Sequence, residues 1–93
     1  MPSYLVESYL TDSLAAVADA RERAHLAAEL GTGVRYVRTT FLPGDETVLH
    51  VFEAASADAL ERAARLAALA HERIVEAVED SAEPEEEGEE ESR

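Results

Sequence analysis

One histidine and two glutamates on three predicted strands are the side chains best suited to chemistry in this chain. These residues are His50, Glu7 and Glu76. Imidazole and carboxylate groups suit nickel, zinc or manganese, and the absence of cysteine excludes thiolate ligands. The three residues form no local spacing motif, so a metal site depends on strand pairing that brings them together. The alternative is a histidine and a glutamate that form a buried salt bridge against a dimer partner.

A second interpretation makes His50 and Tyr36 an acid and a base in a ligand cavity. The chain has no motif for an activated serine, no phosphate-binding glycine loop and no known cofactor motif. The sequence therefore does not indicate an enzyme. It leaves open a dimeric enzyme or binding module for a small hydrophobic molecule, which requires an apolar cavity of at least ~300 Å³ beside His50. It also leaves open an interaction module without a ligand.

The other two histidines are assigned no chemistry. Glu22, His25 and Glu29 fall on one polar arc of a predicted helix, where a solvated charged face is expected. His71 follows the second predicted helix, where it is expected to interact favourably with the helix dipole.

The elements that position these residues follow from hydrophobic periodicity and turn signals. Segments rich in β-branched and aromatic residues predict strands at 3–9, 34–41, 47–53 and 73–78. Apolar stripes of helical period predict helices over 14–28 and 60–70, with Thr11-Asp12-Ser13 and Ser56 as N-caps. Pro43-Gly44-Asp45 predicts the turn of a central hairpin.

The order βαββαβ predicts a ferredoxin-like α+β domain over residues 1–78. Its antiparallel sheet should have the strand order 4-1-3-2, with both helices on one face. A small core rarely supplies more than ~3 to 5 kcal/mol. We therefore expect a homodimer of the dimeric α/β-barrel type, in which a second subunit covers the open sheet face.

Strand alternation assigns side chains to the two faces of this sheet. The residues predicted to face the helices are apolar: Tyr4, Val6, Val37, Phe41, Leu49 and Val51. The opposite set is mixed: Leu5, Glu7, Tyr9, Tyr36, Arg38, Thr40, Val48, His50, Phe52, Ile74, Glu76 and Val78. The predicted site on this open face has three metal ligands and four surrounding residues: His50, Glu7 and Glu76, then Tyr36, Arg38, Phe52 and Tyr9. A slip of one residue in the alternation would reverse the assignment.

Charge excludes several classes of partner. The sequence has 21 acidic and 8 basic residues, a net charge of −13 and no lysine. Such a chain is unsuited to nucleic acid or to anionic membrane surfaces. Residues 79–93 are acidic, without aromatic or β-branched side chains, so a disordered tail is expected. The N-terminus has no basic segment and no long apolar run, so we predict no signal peptide, no membrane span and a cytoplasmic location.

Five segments resemble a known family. They are Tyr-Leu-Val-Glu at 4–7, Gly-Val-Arg-Tyr-Val-Arg-Thr-Thr at 33–40, His-Val-Phe-Glu-Ala at 50–54, Ala-Leu-Glu-Arg-Ala-Ala at 59–64 and Arg-Ile-Val-Glu-Ala-Val at 73–78. Together they are similar to a small bacterial family of unknown function whose members are called nickel-binding proteins. The resemblance implies a ferredoxin-like fold, dimerisation through the open sheet face, and binding of nickel or another divalent metal.

The chain departs from the family pattern at two places. The family usually has a cysteine where this chain has His50, and a Gly-Leu-Pro turn where this chain has Ala68-Leu69-Ala70. Histidine also binds nickel, as a bulkier and neutral ligand. Glu7, Glu53 and Glu76 match positions where the family tends to have an acid, and of these Glu7 and Glu76 belong to the predicted open face.

Overall fold

The structure alternates strands and helices in the predicted order. The computed structural model describes residues 1–10 and 14–78. Its strands are β1 (Ser3–Tyr9), β2 (Val34–Leu42), β3 (Thr47–Ala54) and β4 (Arg73–Ala77). Its α-helices are α1 (Leu14–Leu30) and α2 (Ala57–Leu66), and a 3₁₀ turn at Pro43–Asp45 joins β2 to β3. The predicted N-cap at 11–13 and the predicted acidic tail at 79–93 lie outside the described residues.

The strands form one antiparallel sheet in the order β2-β3-β1-β4. This is the predicted order read from the other edge, with β1 paired to both β3 and β4. Both helices pack on the face that carries Tyr4, Val6 and Phe52. The ferredoxin-like prediction is therefore confirmed, and no helix of residues 1–10 and 14–78 covers the second face of the sheet.

Small side chains let the two helices lie close to the sheet and to each other. The buried residues of the helices are mostly alanine: Ala20, Ala24 and Ala27 in α1, and Leu60, Ala63 and Ala64 in α2. A Cβ added at Gly31 would lie 2.6 Å from the Cβ of Ala63, so the end of α1 approaches α2 more closely than an alanine would allow. Leu14, which the stripe places on the inner arc, is instead 91% exposed.

The second helix ends earlier than predicted. The N–H of Leu69 donates to the carbonyl of Ala64 at 2.8 Å, and the N–H of Ala68 donates to that of Arg65 at 3.1 Å. These two bonds form a Schellman motif, which needs a left-handed residue at its turn. Ala68 takes that conformation with φ = 54°. The chain therefore leaves the helix after Leu66 and buries Leu69 in the core.

Ala68→Gly should raise the free energy of unfolding by about 1 kcal/mol, because the left-handed conformation strains a residue with a Cβ and not glycine. Urea denaturation of both proteins measures the difference. Ala70→Gly is the matched control: Ala70 has no positive φ, so glycine there should lower stability through the entropy of the unfolded chain. A loss of stability in Ala68→Gly would contradict the expectation.

The faces of β3 are the reverse of the prediction. Residues directly opposite one another in an antiparallel pair point to the same face. His50 lies opposite Val6, and Phe52 lies opposite Tyr4, so His50 and Phe52 face the helices. The alternating residues of β3 lie on the open face: Leu49 and Val51. The physical reason is burial: with His50 and Phe52 facing the helices, the large Phe52 side chain is completely removed from solvent.

A β-bulge in β2 sets the faces of the neighbouring strand. The register shifts between Tyr36, which lies opposite Phe52, and Arg38, which lies opposite Val51. Thr39 then lies opposite His50. Tyr36 and Thr39 therefore both face the helices, although strict alternation would separate them.

Candidate functional site: a buried histidine beside a cavity

The three predicted metal ligands are not brought together. Glu7 lies opposite Leu49 on the open face, whereas His50 faces the helices. The Oε1 of Glu7 accepts a hydrogen bond of 2.6 Å from the Nε of Arg73. Glu76 is exposed on the edge strand β4, opposite Tyr4, and so lies on the helix side rather than on the predicted open face. Within residues 1–10 and 14–78, no group of three or more His, Asp or Glu residues is placed to hold a metal ion.

The four predicted ligand-face residues are divided between the faces. Arg38 and Tyr9 lie on the open face as predicted. The open-face placement of Tyr36 and Phe52 is wrong, because both belong to the helix side. Their rings contact each other there, with centroids 5.4 Å apart. The rings of His25 and Tyr36 pack edge to face, with centroids 4.5 Å apart.

Burial makes His50 the most unusual polar residue of the described chain. Its side chain is fully buried in the centre of β3. Nδ1 lies 2.7 Å from Oγ1 of Thr39, and that oxygen lies 2.5 Å from the hydroxyl of Tyr36. This chain of hydrogen bonds fixes the plane of the imidazole from one side.

The other ring nitrogen has no partner. Nε2 of His50 is buried and makes no hydrogen bond within the part of the chain that the structure describes. Burial lowers the pKa of His50 from 6.5 to about 4, because the imidazolium cation would lose its hydration. His50 is therefore neutral at neutral pH, and an unpaired polar atom of this kind is costly unless something binds to it.

His50 lines a cavity between α1, the sheet and the segment that follows α2. The volume is about 160 Å³. Its walls are mainly apolar: Leu10, Ala16, Ala20, Val48, Ala68, Leu69 and Ala70. Its polar wall residues are Ser8, Asp19, Arg23 and His50. The cavity is smaller than the ~300 Å³ that the sequence-based hypothesis of an enzyme or binding module requires, so that requirement is not met. Its volume is close to that of engineered apolar cavities of about 150 Å³ that bind benzene, but unlike those it opens to solvent.

An ion pair on α1 forms part of the cavity wall. Nε of Arg23 lies 3.1 Å from a carboxylate oxygen of Asp19, and Nη1 of Arg23 donates to the carbonyl of Ala67 at 3.2 Å. Both side chains are partly exposed, so the pair adds little to stability. Its geometric effect is to join α1 to the end of α2 beside the cavity.

The sequence pattern indicates His50 and Tyr36 as site residues but gives no sign of Thr39, Asp19 or Arg23. Thr39 reaches His50 only because of the bulge, which has no signal in the sequence. Asp19 and Arg23 lie four residues apart on α1, a spacing that indicates an ion pair on a helix surface but not a cavity.

Comparison with known proteins supports the fold alone. No family model and no curated protein matches the chain. Among solved structures, the fold is similar to that of SCO4226 from Streptomyces coelicolor A3(2), with a TM-score of 0.71 and 15% sequence identity. The match covers 85% of this chain and 99% of the other. In the described residues, no helix is long and apolar enough to cross a membrane.

Proposed function

We propose that this protein binds one small, neutral molecule in the cavity beside His50. The observation that carries the proposal is the unpaired, buried Nε2 of a histidine that lines this cavity. Nε2 has almost no accessible surface in this structure, so a ligand reaches it only when the cavity walls move apart slightly. One polar ligand atom would then satisfy that nitrogen, and the apolar remainder of the ligand would fill the alanine- and leucine-lined walls. The volume of about 160 Å³ admits a molecule about the size of a six-membered ring with one substituent.

Neutral ligands fit this cavity better than charged ones. Desolvation opposes any ion in an apolar cavity. An anion would also meet the carboxylate of Asp19, while Arg23 is already bonded to Asp19 and to the carbonyl of Ala67. A cation beside His50 would incur the same desolvation cost that lowers the pKa of the imidazole.

The cavity can be tested by filling it. Ala16→Leu adds three carbons at a wall position on α1, whereas Ala18→Leu makes the same change at an exposed position of that helix outside the cavity wall. We expect cyclohexanone, cyclohexanol or methylenecyclohexane to shift the amide NMR signals of Ser8 and Val48 in the natural protein and in Ala18→Leu, and to lose at least about 10-fold in affinity in Ala16→Leu. Absence of binding by all three compounds, or equal binding to both variants, would contradict the proposal.

Binding of nickel or another divalent metal, with His50 as one ligand, stays a prediction from the sequence resemblance. Native mass spectrometry with nickel, zinc and manganese salts tests it on the full chain. His50→Asn is the matched variant, because its amide replaces the Nδ1 side of the ring and removes Nε2. Metal uptake that disappears in this variant would favour a metal over a neutral molecule in this site.

We also propose that two copies pair through their open sheet faces. The face has a half-buried apolar centre around Leu5, Leu49 and Val75, beside an open groove of about 310 Å³. The ion pairs Glu7–Arg73 and Arg35–Glu53 give the face both signs of charge. An apolar centre with balanced charges can be complementary to itself in a twofold dimer.

A further inference from the structure

Two directions are possible for the hydrogen-bond chain that holds His50. In the first, Nδ1–H of His50 donates to Thr39 and Nε2 is left as an acceptor; the Thr39 oxygen then either donates its proton to Tyr36 or accepts a second hydrogen bond from it. In the second, the Tyr36 hydroxyl donates to Thr39, the Thr39 hydroxyl donates to Nδ1, and Nε2 carries the proton. The direction decides whether the ligand of the cavity must donate or accept a hydrogen bond.

The geometry and the chemistry both favour the second direction. The contact between Nδ1 of His50 and Oγ1 of Thr39 is 2.7 Å. That length is usual for an O–H donor, with a mode of about 2.7 to 2.8 Å, and short for an N–H donor, with a mode of about 2.9 to 3.0 Å. Of the three groups, the phenol of Tyr36 is the most acidic donor and the neutral imidazole of His50 is the most basic acceptor. In the second direction the strongest donor therefore donates and the strongest acceptor accepts.

We propose that Tyr36 and Thr39 hold His50 with its proton on Nε2, so that the cavity selects small molecules with a neutral carbonyl oxygen. The ligand part of this inference rests on the proposed function. The buried Nε2–H has no acceptor within residues 1–10 and 14–78. A ketone or aldehyde oxygen supplies that acceptor without the charge that Asp19 would oppose. Thr39 and Tyr36 act as positioning residues, because they work through His50.

The tautomer can be read directly. Long-range proton–nitrogen NMR spectra of the imidazole distinguish the protonated ring nitrogen from the unprotonated one. His50 is assigned by the signals that are absent in His50→Asn, which leaves those of His25 and His71. We expect the proton on Nε2 in the natural protein; a proton on Nδ1 overturns the inference whether or not any compound binds.

Ligand selection is tested with two molecules of matched shape. Cyclohexanone and methylenecyclohexane differ by a carbonyl oxygen in place of a methylene carbon. One added hydrogen bond predicts tighter binding of the ketone by roughly 2- to 12-fold. Equal affinities overturn the carbonyl preference and leave the proposed binding function standing, whereas absence of binding by all three compounds, cyclohexanol included, overturns both.

Two variants of Thr39 distinguish the effect of the Tyr36–Thr39–His50 hydrogen bonds, here called the relay, from the effect of side-chain packing. Thr39→Val keeps the side-chain shape and removes the hydroxyl, while Thr39→Ser keeps the hydroxyl. We expect Thr39→Val to lose the Nε2–H preference and to reduce the affinity ratio of ketone to hydrocarbon towards 1, and Thr39→Ser to retain both. An unchanged tautomer and ratio in a folded Thr39→Val protein would contradict the role of the relay. If that variant does not fold, the natural protein's spectrum and affinity ratio still decide the inference.

Discussion

Lowering the pH from about 6.5 to about 4 should reduce the free energy of unfolding by about 3 kcal/mol through His50 alone. The pKa of this residue falls from 6.5 to about 4 in the folded protein because the ring is buried. Between these values the unfolded chain binds the proton and the folded chain does not, so stability falls as the pH falls. A difference of about 2.5 pH units corresponds to at most about 3 to 4 kcal/mol at about 1.4 kcal/mol per pH unit. About 3 kcal/mol of this is lost within the interval, because each state is only half protonated at its own pKa. For a domain whose small core supplies only ~3 to 5 kcal/mol, this is a large loss.

Urea denaturation at several pH values measures this loss. His50→Asn should show a smaller decrease than the natural protein between pH 6.5 and 4, because its amide does not titrate. Asp19 and Arg23 on α1 share the cavity wall with His50, and Tyr36 on β2 is joined to His50 through Thr39. Asp19→Asn is a second control, because Asp19 is the acidic residue of that wall. Equal pH dependence in the natural protein and in His50→Asn would show that His50 is not the responsible group.

Leu49→Asp should convert the proposed dimer into a monomer. Leu49 lies on β3 in the centre of the open face, and a carboxylate there would be buried without a partner on association. Leaving a charge unpaired at an interface costs about 3 kcal/mol or more, which corresponds to at least about a 100-fold increase in Kd. Light scattering after size exclusion, at micromolar concentration, should give about twice 10.1 kDa for the natural protein and 10.1 kDa for the variant.

Leu66→Asp is the matched control for this experiment. It makes the same substitution on α2, where Leu66 is 65% exposed in the helix layer, away from the open face. The dimer should survive it. A monomeric natural protein would contradict the dimer proposal, and dissociation by Leu66→Asp but not by Leu49→Asp would place the interface on the helices instead.

The candidate site was only partly accessible from the sequence. His50 and Tyr36 were identified as a possible pair in a ligand cavity because a histidine and a tyrosine on adjacent strands of a hairpin lie within reach of each other. Glu7 was grouped with them because β1 and β3 are neighbours in the sheet, which is correct. It lies on the opposite face because Glu7 is paired with Leu49, one residue away from His50 in a strand whose side chains alternate.

The sequence by itself determined the element order, the sheet order and the alanine-rich helix faces. These properties depend on local periodicity, turn residues and the handedness of crossover connections, all of which can be read along the chain. Only the tertiary structure decided which face of β3 is buried, because both of its alternating sets contain apolar residues. Packing of Phe52 against the helices and the bulge after Tyr36 made that choice together. This orientation of β3 also buries His50 and brings it within hydrogen-bond distance of Thr39. It leaves Nε2 of His50 without a hydrogen-bond partner in the described residues, in a side chain that lines a cavity.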